Sequence, residues 1–237
     1  MDCIILHLET TGLNCSVALS KGRKRIAHRA EMAERFIHSE RLHVFIDEVM
    51  QESGLTPTDL NAVSVSRGPG SYTGLRIGSS AAKGLCFALG VPLIAVDTCR
   101  ILECAMRQMH TKPTDFFVPL MDARRMEVYT ATFDASGQEI EAVHPLVWEE
   151  QAFAKWKDQT IVFGGDGAAK CAEVTHNNQW TFLPPIYPDA KYMVDLSVDA
   201  FEASQFEDVA YFEPEYLKAF VAGKPKNMLN PVSKNPS

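Results

Sequence analysis

The chain has few cysteines, and none stands at the spacing that a metal or redox motif requires. The six cysteines are scattered over 237 residues and form no C-x-x-C. Several lie inside apolar runs, as buried free thiols do. This pattern excludes a small scaffold held together by disulfides. It indicates a reduced protein, and we expect a cytoplasmic one.

A long hydrophobic run and a leader segment are also missing. The longest apolar stretch, residues 84–96, is too short to span a bilayer and contains Gly90 and Pro92. The first residues, Met-Asp-Cys-Ile, carry no basic region, so neither a secretory signal nor a membrane anchor is predicted. With 46% hydrophobic and 22% charged residues, the composition excludes a disordered or collagenous chain and predicts a folded core.

The chain has no excess of basic charge. Its formal net charge of −7 divides into +1 for residues 1–110 and −8 for residues 111–237. A protein that binds nucleic acid alone needs a basic face that displaces counterions from the phosphates. We therefore expect a nucleic-acid partner to be reached only through the first half of the chain or through another subunit.

What the chain does contain is a regular succession of strand and helix patterns. Short apolar runs separated by glycine turns predict strands, and a helical period of apolar residues predicts helices. The first half reads as strands at 3–8, 14–20 and 25–29, a helix at 39–52, a strand at 60–66, a helix at 72–89, a strand at 92–96 and a helix at 100–109. The order βββ-α-β-α-β is typical of an RNase H-like unit.

The second half repeats this plan in pattern, though not in residues. It predicts strands at 116–121, 127–133 and 139–143, a helix at 149–157, a strand at 160–163, a helix at 168–173, a strand at 180–183 and a last helix at 191–203. Two tandem units predict an α/β fold of two RNase H-like lobes, residues 1–99 and 100–221, with a cleft between them. Residues 222–237 have no acidic side chain and three prolines, which predicts a disordered tail.

A glycine-rich loop between a predicted strand and a predicted helix is the strongest local motif. Gly68, Gly70 and the hydroxyls of Ser71 and Thr73 make a candidate anion or nucleotide site, because backbone N–H groups gather at a helix N-terminus. The loop is neither a Walker A motif nor a good dinucleotide fingerprint. Asp97, after the next strand, keeps the dinucleotide alternative open.

The same segment also has a purely structural interpretation. Gly74, Gly78, Ala81 and Ala82 form a stripe of small side chains on the predicted helix. Small residues at this spacing allow another element to pack closely against a helix.

Two weaker motifs are candidates for contacts to the same ligand. Gly164 and Gly165 end a predicted strand of the second lobe and would face the first loop across the cleft. Thr10 and Thr11 follow the first strand, where actin-like ATPases touch phosphate. Such enzymes have an aspartate where this chain has Glu9, and the extra methylene displaces the carboxylate.

The sequence offers no candidate for a metal site or an activated nucleophile. No two of the seven histidines are three or four residues apart, the spacing that brings two ligands to one helix face. We therefore predict no catalytic residue, no metal and no cofactor.

Six sequence blocks together resemble the TsaB (YeaZ) family of bacterial tRNA threonylcarbamoyladenosine biosynthesis subunits. They are IILHLETT from residue 4, HSERL from 38, SRGPGSYTGLRIG from 66, AKGL from 82, MDARRMEVY from 121 and EPEYL from 213. The resemblance runs from Cys3 to about residue 220, and the glycine-loop block is very specific. It implies the two-lobed actin/Hsp70-like (ASKHA) fold that the repeated pattern predicts.

The resemblance also implies partners. Such a subunit assembles with TsaD, the catalytic paralogue, and with TsaE, an ATPase, and the complex modifies adenosine beside the tRNA anticodon. It reaches tRNA only through the complex, and it pairs through its first-lobe helices with TsaD or, when TsaD is absent, with itself. We expect this interface to include the small stripe and two apolar residues of the preceding helix: Leu42, Phe45, Gly74, Gly78, Ala81 and Ala82.

TsaD-like proteins carry a His-x-x-x-His metal motif where this chain has Thr98 and Leu102. Leucine cannot coordinate a metal, so the resemblance implies a non-catalytic scaffold or activating subunit. The main alternative is a stand-alone nucleotide-binding ATPase or kinase of the same fold. A metalloprotease-like hydrolase conflicts with the missing histidine pair.

Overall fold

The computed structural model describes residues 2–149 and 151–217. Residues 222–237, where the sequence predicts a disordered tail, lie outside the described residues. The first half contains the strands and helices β1 (Ile4–Glu9), β2 (Asn14–Lys21), β3 (Lys24–Met32), α1 (His38–Ser53), β4 (Ala62–Gly68), α2 (Tyr72–Leu89), β5 (Leu93–Asp97) and α3 (Thr98–Met109). The second half contains β6 (Phe116–Asp122), β7 (Glu127–Asp134), β8 (Glu139–Val147), β9 (Ile161–Gly164), α4 (Ala168–Ala172), β10 (Trp180–Phe182) and α5 (Val194–Glu202).

The ten strands form two sheets of five with the same topology. The first sheet has the order β3-β2-β1-β4-β5 and the second has the order β10-β9-β6-β7-β8. In each sheet three antiparallel strands form a meander, and the last two strands run parallel to the first strand of that meander. The predicted duplication of an RNase H-like unit is therefore confirmed. Among the described residues, no helix is long and apolar enough to cross a membrane.

Apolar side chains cover both faces of both sheets. On the first sheet, α1 and α2 bury one face, with Leu42, Val49 and Ala82 fully enclosed. On the second sheet, α3 covers one face, and the opposite face carries a cluster of aromatic side chains around Phe163. Helix α3 packs on strands of both sheets, so it joins the two lobes.

The last part of the described chain returns to the first lobe, which corrects the predicted boundaries. A 3-10 turn at Ala190–Met193 and α5 pack on the free face of the first sheet. Further along, Glu207 bridges to Leu93 of β5, and Phe212 is buried beside α2. The assignment of residues 100–221 to the second lobe is therefore wrong from about residue 189, because this segment supplies the cover that the first sheet otherwise lacks.

Two predicted helices of the second half also differ from the structure. Where residues 149–157 were expected to be helical, the described residues hold one 3-10 turn, Ala154–Trp156. The preceding strand β8 continues to Val147, and Trp148 and Phe153 are buried in the aromatic cluster. Packing of these rings overrides the weak local helical pattern. The last predicted helix, 191–203, is divided into the 3-10 turn Ala190–Met193 and α5.

Candidate functional site

The glycine loop is fixed between two other parts of the first lobe. Gly68 has φ 119°, and a Cβ there would lie 2.8 Å from the carbonyl oxygen of Glu215 in the returning segment. A Cβ on Gly70 would lie 2.5 Å from the Cβ of Thr11. Both positions therefore require glycine for close approach of the backbone. The returning segment is tied to this loop by a hydrogen bond of 2.7 Å from the Glu215 N–H to the Arg67 carbonyl.

Three backbone donors at the start of α2 bind acceptors within the protein. The Ser71 hydroxyl caps the helix by accepting a hydrogen bond from the Gly74 N–H at 3.3 Å. The Ser71 N–H donates to the Thr11 carbonyl at 2.8 Å, and the Leu75 N–H donates to the Ser71 carbonyl. The chain's own acceptors therefore bind the N–H groups of Ser71, Gly74 and Leu75, at and just after the predicted anion site of Gly68, Gly70 and Ser71.

The turn that follows β1 is closed in the same way. The Thr10 hydroxyl donates to the Gly74 carbonyl at 2.8 Å. Both the N–H and the hydroxyl of Thr11 donate to Glu9 Oε1 at 2.5 Å. All three side chains are buried. The two threonines lie beside the glycine loop, and their hydroxyls bind protein atoms and do not face an open site.

Glu9 is the buried carboxyl group at the centre of this arrangement. Desolvation raises its pKa to about 7, against the opposing effect of the hydrogen bonds from Thr11. Its Oε2 atom is buried without a hydrogen-bond partner, and the same holds for the Ser66 hydroxyl. Ser66 lies beside Glu9 on the neighbouring strand, because Leu8 pairs with Val65 in the parallel ladder of β1 and β4.

The second glycine cluster packs within its own lobe. A Cβ on Gly164 would lie 2.8 Å from the side chain of Met106 on α3. Gly165 has φ 125°, and its nearest neighbour is the Leu120 carbonyl. The structure explains both glycines by close packing against α3 and β6, and their nearest atoms do not include the glycine loop.

The residues expected to form a partner interface are mostly buried inside the first lobe. Leu42 and Phe45 of α1 belong to its core, as does Ala82 of α2. Gly74 and Gly78 face the Thr10 backbone and hydroxyl so closely that a Cβ on either would collide with them. The expectation that these five residues form the interface is therefore wrong, because the stripe packs on its own sheet and hairpin. Ala81 is also in this core, 9% exposed, and is the one of the six that lines an outer groove.

That outer surface is a groove of about 760 Å³ between α1 and α2. Its walls are partly apolar, with Ile77 and Leu85 from α2 facing the exposed His43 of α1. At one end the Arg76 guanidinium lies 4.3 Å from the centre of the Tyr72 ring. Thr73, expected to bind an anion, is exposed at the same end.

Comparison with known proteins covers nearly the whole chain. Residues 31–218 match the family model described as TsaD, tRNA N6-adenosine threonylcarbamoyltransferase. The tRNA threonylcarbamoyladenosine biosynthesis protein TsaB of Haemophilus influenzae is 31% identical, and the alignment covers 93% of this chain and 95% of that protein. Escherichia coli TsaB is 30% identical, with 93% and 96% covered. The chain belongs to the TsaB family.

The structural comparison agrees with this fold. The solved structure of YeaZ from Pseudomonas aeruginosa superposes with a TM-score of 0.76 at 24% sequence identity, over 91% of this chain and 100% of that one. The two-lobed α/β fold of the ASKHA type is thus the fold of this TsaB-family chain. Its first lobe is completed by the returning segment described above.

In this TsaB-family chain, the positions after β5 are occupied by structural contacts. Asp97 lies 3.8 Å from the Arg67 guanidinium, which also lies 3.3 Å from Glu207. Burial raises the Asp97 pKa, with Arg67 opposing the rise. Thr98 and Leu102 are both fully buried. Within residues 2–149 and 151–217, no group of three or more His, Cys, Asp or Glu side chains is arranged to hold a metal ion.

A buried polar stripe on the first sheet escaped the sequence analysis. His7 lies 2.9 Å from the Ser20 hydroxyl and 3.1 Å from that of Ser197, which donates to Ser64 at 2.8 Å. Burial lowers the His7 pKa to about 3, so the ring is neutral. The available signal was the alternation of polar and apolar residues in β1, β2 and β4, which places these side chains on one face.

Proposed function

We propose that this TsaB-family chain is a non-catalytic scaffold or activating subunit in the synthesis of N6-threonylcarbamoyladenosine in tRNA. The single observation that carries the proposal is the alignment of almost the entire chain with TsaB proteins named for this biosynthesis. The net charge of −7 supports a role in which tRNA is bound by the assembly and not by this chain alone. The assembly acts in the cytoplasm.

A scaffold role is supported by the hydrogen bonds of the first hairpin and the glycine loop, the two segments where an ATPase of this fold would bind phosphate. In an ATPase of this fold, the first hairpin and the glycine loop would present free donors to phosphate. Here the donors of Thr10, Thr11 and Ser71 are directed at protein oxygens. The positions of the histidine pair of TsaD hold Thr98 and Leu102, both in the core.

The proposed partners are a TsaD-like catalytic subunit and a TsaE-like ATPase. The TsaD-like subunit binds the outer α1–α2 face, and a second copy of this chain binds there when that subunit is absent. Support comes from the groove between the two helices, which is lined by exposed and half-exposed side chains such as His43, Ile77 and Leu85. Phe87, 87% exposed, continues this face along α2.

Titration calorimetry separates the scaffold from its main alternative, a stand-alone ATPase or kinase. The purified chain is titrated first with ATP and Mg²⁺ and then with the TsaD-like subunit. The proposal expects no heat of ATP binding and a saturable heat with the TsaD-like subunit. Saturable ATP binding together with ATP hydrolysis by this chain alone would establish the alternative.

A further inference from the structure

The groove between α1 and α2 continues into a second groove at the other end of the two helices. The first groove has Ile77, Ala81 and Leu85 on its α2 wall. The second, of about 470 Å³, shares Leu85 and His43 with the first and adds Ile46 of α1. Together the two grooves form one partly apolar channel from the first turn of α2 to the end of α1, and we call it the α1–α2 channel.

The described part of the chain ends beside this channel. The ring of Tyr216 lies 5.0 Å from that of Tyr72, measured between ring centres, and Tyr72 lines the channel at the first turn of α2. Leu217 is the last residue that the structure describes. The segment 218–237 is therefore tethered next to the channel, at an effective concentration on the order of millimolar. At that concentration even a weak contact with the channel is populated.

The segment 218–237 differs in charge from the rest of the chain. It contains four lysines and no acidic residue, whereas the whole chain has a net charge of −7. Its residues 219–222 are apolar, and Lys224 and Lys226 follow them. A segment of this kind fits a channel that is apolar near its entrance and acidic farther along.

Helix α1 supplies the acidic charge. It carries four acidic side chains and one arginine. Three of the four acids pair with Arg29 or Arg35, and the fourth, Asp47, is exposed and lines the second groove. At the other end of the channel, the guanidinium of Arg76 lies over the Tyr72 ring. Lysines are therefore favoured near Asp47 and disfavoured near the Tyr72 end.

The length of the segment matches these positions. Helix α2 rises about 20 Å from Tyr72 to Leu85, at 1.5 Å per residue. An extended chain advances about 3.3 Å per residue, so Phe220 reaches about 13 Å from Tyr216, which is far enough to contact the apolar α2 wall. By the same measure Lys224 reaches about 26 Å, past the level of Leu85 and within range of Asp47.

We propose that the segment 218–237 lies along the α1–α2 channel in the free subunit, with its apolar run on the α2 wall and its next two lysines near Asp47. In this position it covers the face that the proposed function assigns to the TsaD-like subunit. That subunit binds only when the segment leaves, so its apparent affinity falls with the fraction of molecules whose channel is open. This regulatory role rests on the proposed function, whereas the docking of the segment does not.

Photo-cross-linking of the full chain shows where the segment lies. Phe220 is replaced by p-benzoylphenylalanine, the chain is irradiated, and cross-linked peptides are identified by mass spectrometry. The proposal expects cross-links within one molecule to α1 and α2 residues of the channel. As a matched control, the same group replaces Phe206, which is 43% exposed and packs near Phe201, and it should not label the channel. Cross-links from position 220 to other parts of the chain or to a second copy, or no cross-link, would overturn the proposal.

Charge reversal tests the contact with Asp47. In the photoreactive chain, Lys224→Glu combined with Lys226→Glu should lower the yield of channel cross-links about two- to fivefold, the effect of losing an exposed ion pair. Adding Asp47→Lys should restore the yield. Lys112→Glu, which reverses an exposed lysine of the second lobe, should leave it unchanged. A double variant with the wild-type yield would show that these lysines do not hold the segment near Asp47.

Calorimetric titration with the TsaD-like subunit separates this proposal from the proposed function. The chain with Lys224→Glu and Lys226→Glu should bind that subunit more tightly than the wild type, because its channel is open in more molecules. Equal affinities would overturn the covering role of the segment while the proposed function stands. If neither chain binds the TsaD-like subunit while position 220 still cross-links to the channel, the proposed function fails and the docking of the segment stands.

Discussion

Gly78 and Gly84 lie on the same helix and meet opposite surroundings. A Cβ on Gly78 would collide with the Thr10 hydroxyl, whereas a Cβ on Gly84 has no atom within 4 Å. Gly78→Leu should therefore overpack the interior and lower the unfolding free energy by about 1–3 kcal/mol or more. Thermal melting of the isolated chain measures this loss.

Gly84→Leu is the matched control on the same helix. Leucine forms helix better than glycine by up to about 1 kcal/mol, so the variant should melt at or above the wild-type temperature. Its side chain extends into the α1–α2 groove, so binding of the TsaD-like subunit should weaken. A stable Gly78→Leu, or a Gly84→Leu that binds that subunit as the wild type does, would contradict this account of the two faces.

These glycines also show what single residues in a sequence do and do not reveal. Spacing alone identifies Gly74, Gly78 and Ala82 as a small face of a helix. It does not identify the neighbour, because the contacting residue, Thr10, lies more than sixty positions away in the chain. The sequence therefore predicts close packing correctly and assigns it to the wrong partner.

At the scale of elements, the sequence correctly predicts the features that depend on neighbouring residues, such as helix ends and strand patterns. The structure gives α2 the predicted bounds, since Ser71 caps its start and Gly90 ends it with φ 67°. The meanders follow from alternating apolar residues. The return of residues 189–217 to the first lobe was missed, because no local periodicity reports which sheet a helix covers.

The returning segment makes the first lobe sensitive to acid through His7. The ring is buried between β1 and α5, and its pKa falls from 6.5 to about 3 on folding. Below pH 6.5 the His7 ring is protonated in the unfolded chain but stays neutral in the folded chain. The free energy of unfolding therefore decreases as the pH falls toward 3. The slope reaches up to about 1.4 kcal/mol per pH unit.

Unfolding of wild type and His7→Gln between pH 3.5 and pH 7 measures this contribution as a difference. The two proteins must be compared because the raised pKa of Glu9 makes the free energy of unfolding decrease as the pH rises from about 4.5 to 7, the opposite of the effect of His7. His176→Gln, which replaces an exposed histidine, is the control and should retain the wild-type profile. If His7→Gln loses stability at acid pH as the wild type does, the buried ring is not the cause of the acid sensitivity.

At the scale of the whole molecule, the two lobes share one sheet topology but differ in the elements that cover their sheets. The first lobe carries two long helices with a groove between them, and a hairpin whose Thr10 hydroxyl donates to the Gly74 carbonyl of α2. The second lobe has a 3-10 turn where the first has α1 and buries its aromatic residues on the outer face of its sheet. This asymmetry leaves the outer α1–α2 face of the first lobe as the surface through which a scaffold subunit would act.

Reconstitution of tRNA modification tests this central claim most directly. The chain, a TsaD-like subunit and a TsaE-like ATPase are mixed with tRNA and a threonylcarbamoyl donor, and each protein is omitted in turn while N6-threonylcarbamoyladenosine is quantified. The account predicts no product from this chain alone, full product from the complete mixture, and product reduced to background when this chain is omitted or replaced by Gly84→Leu. Product formed by the chain alone, or an undiminished yield in its absence, would contradict the account.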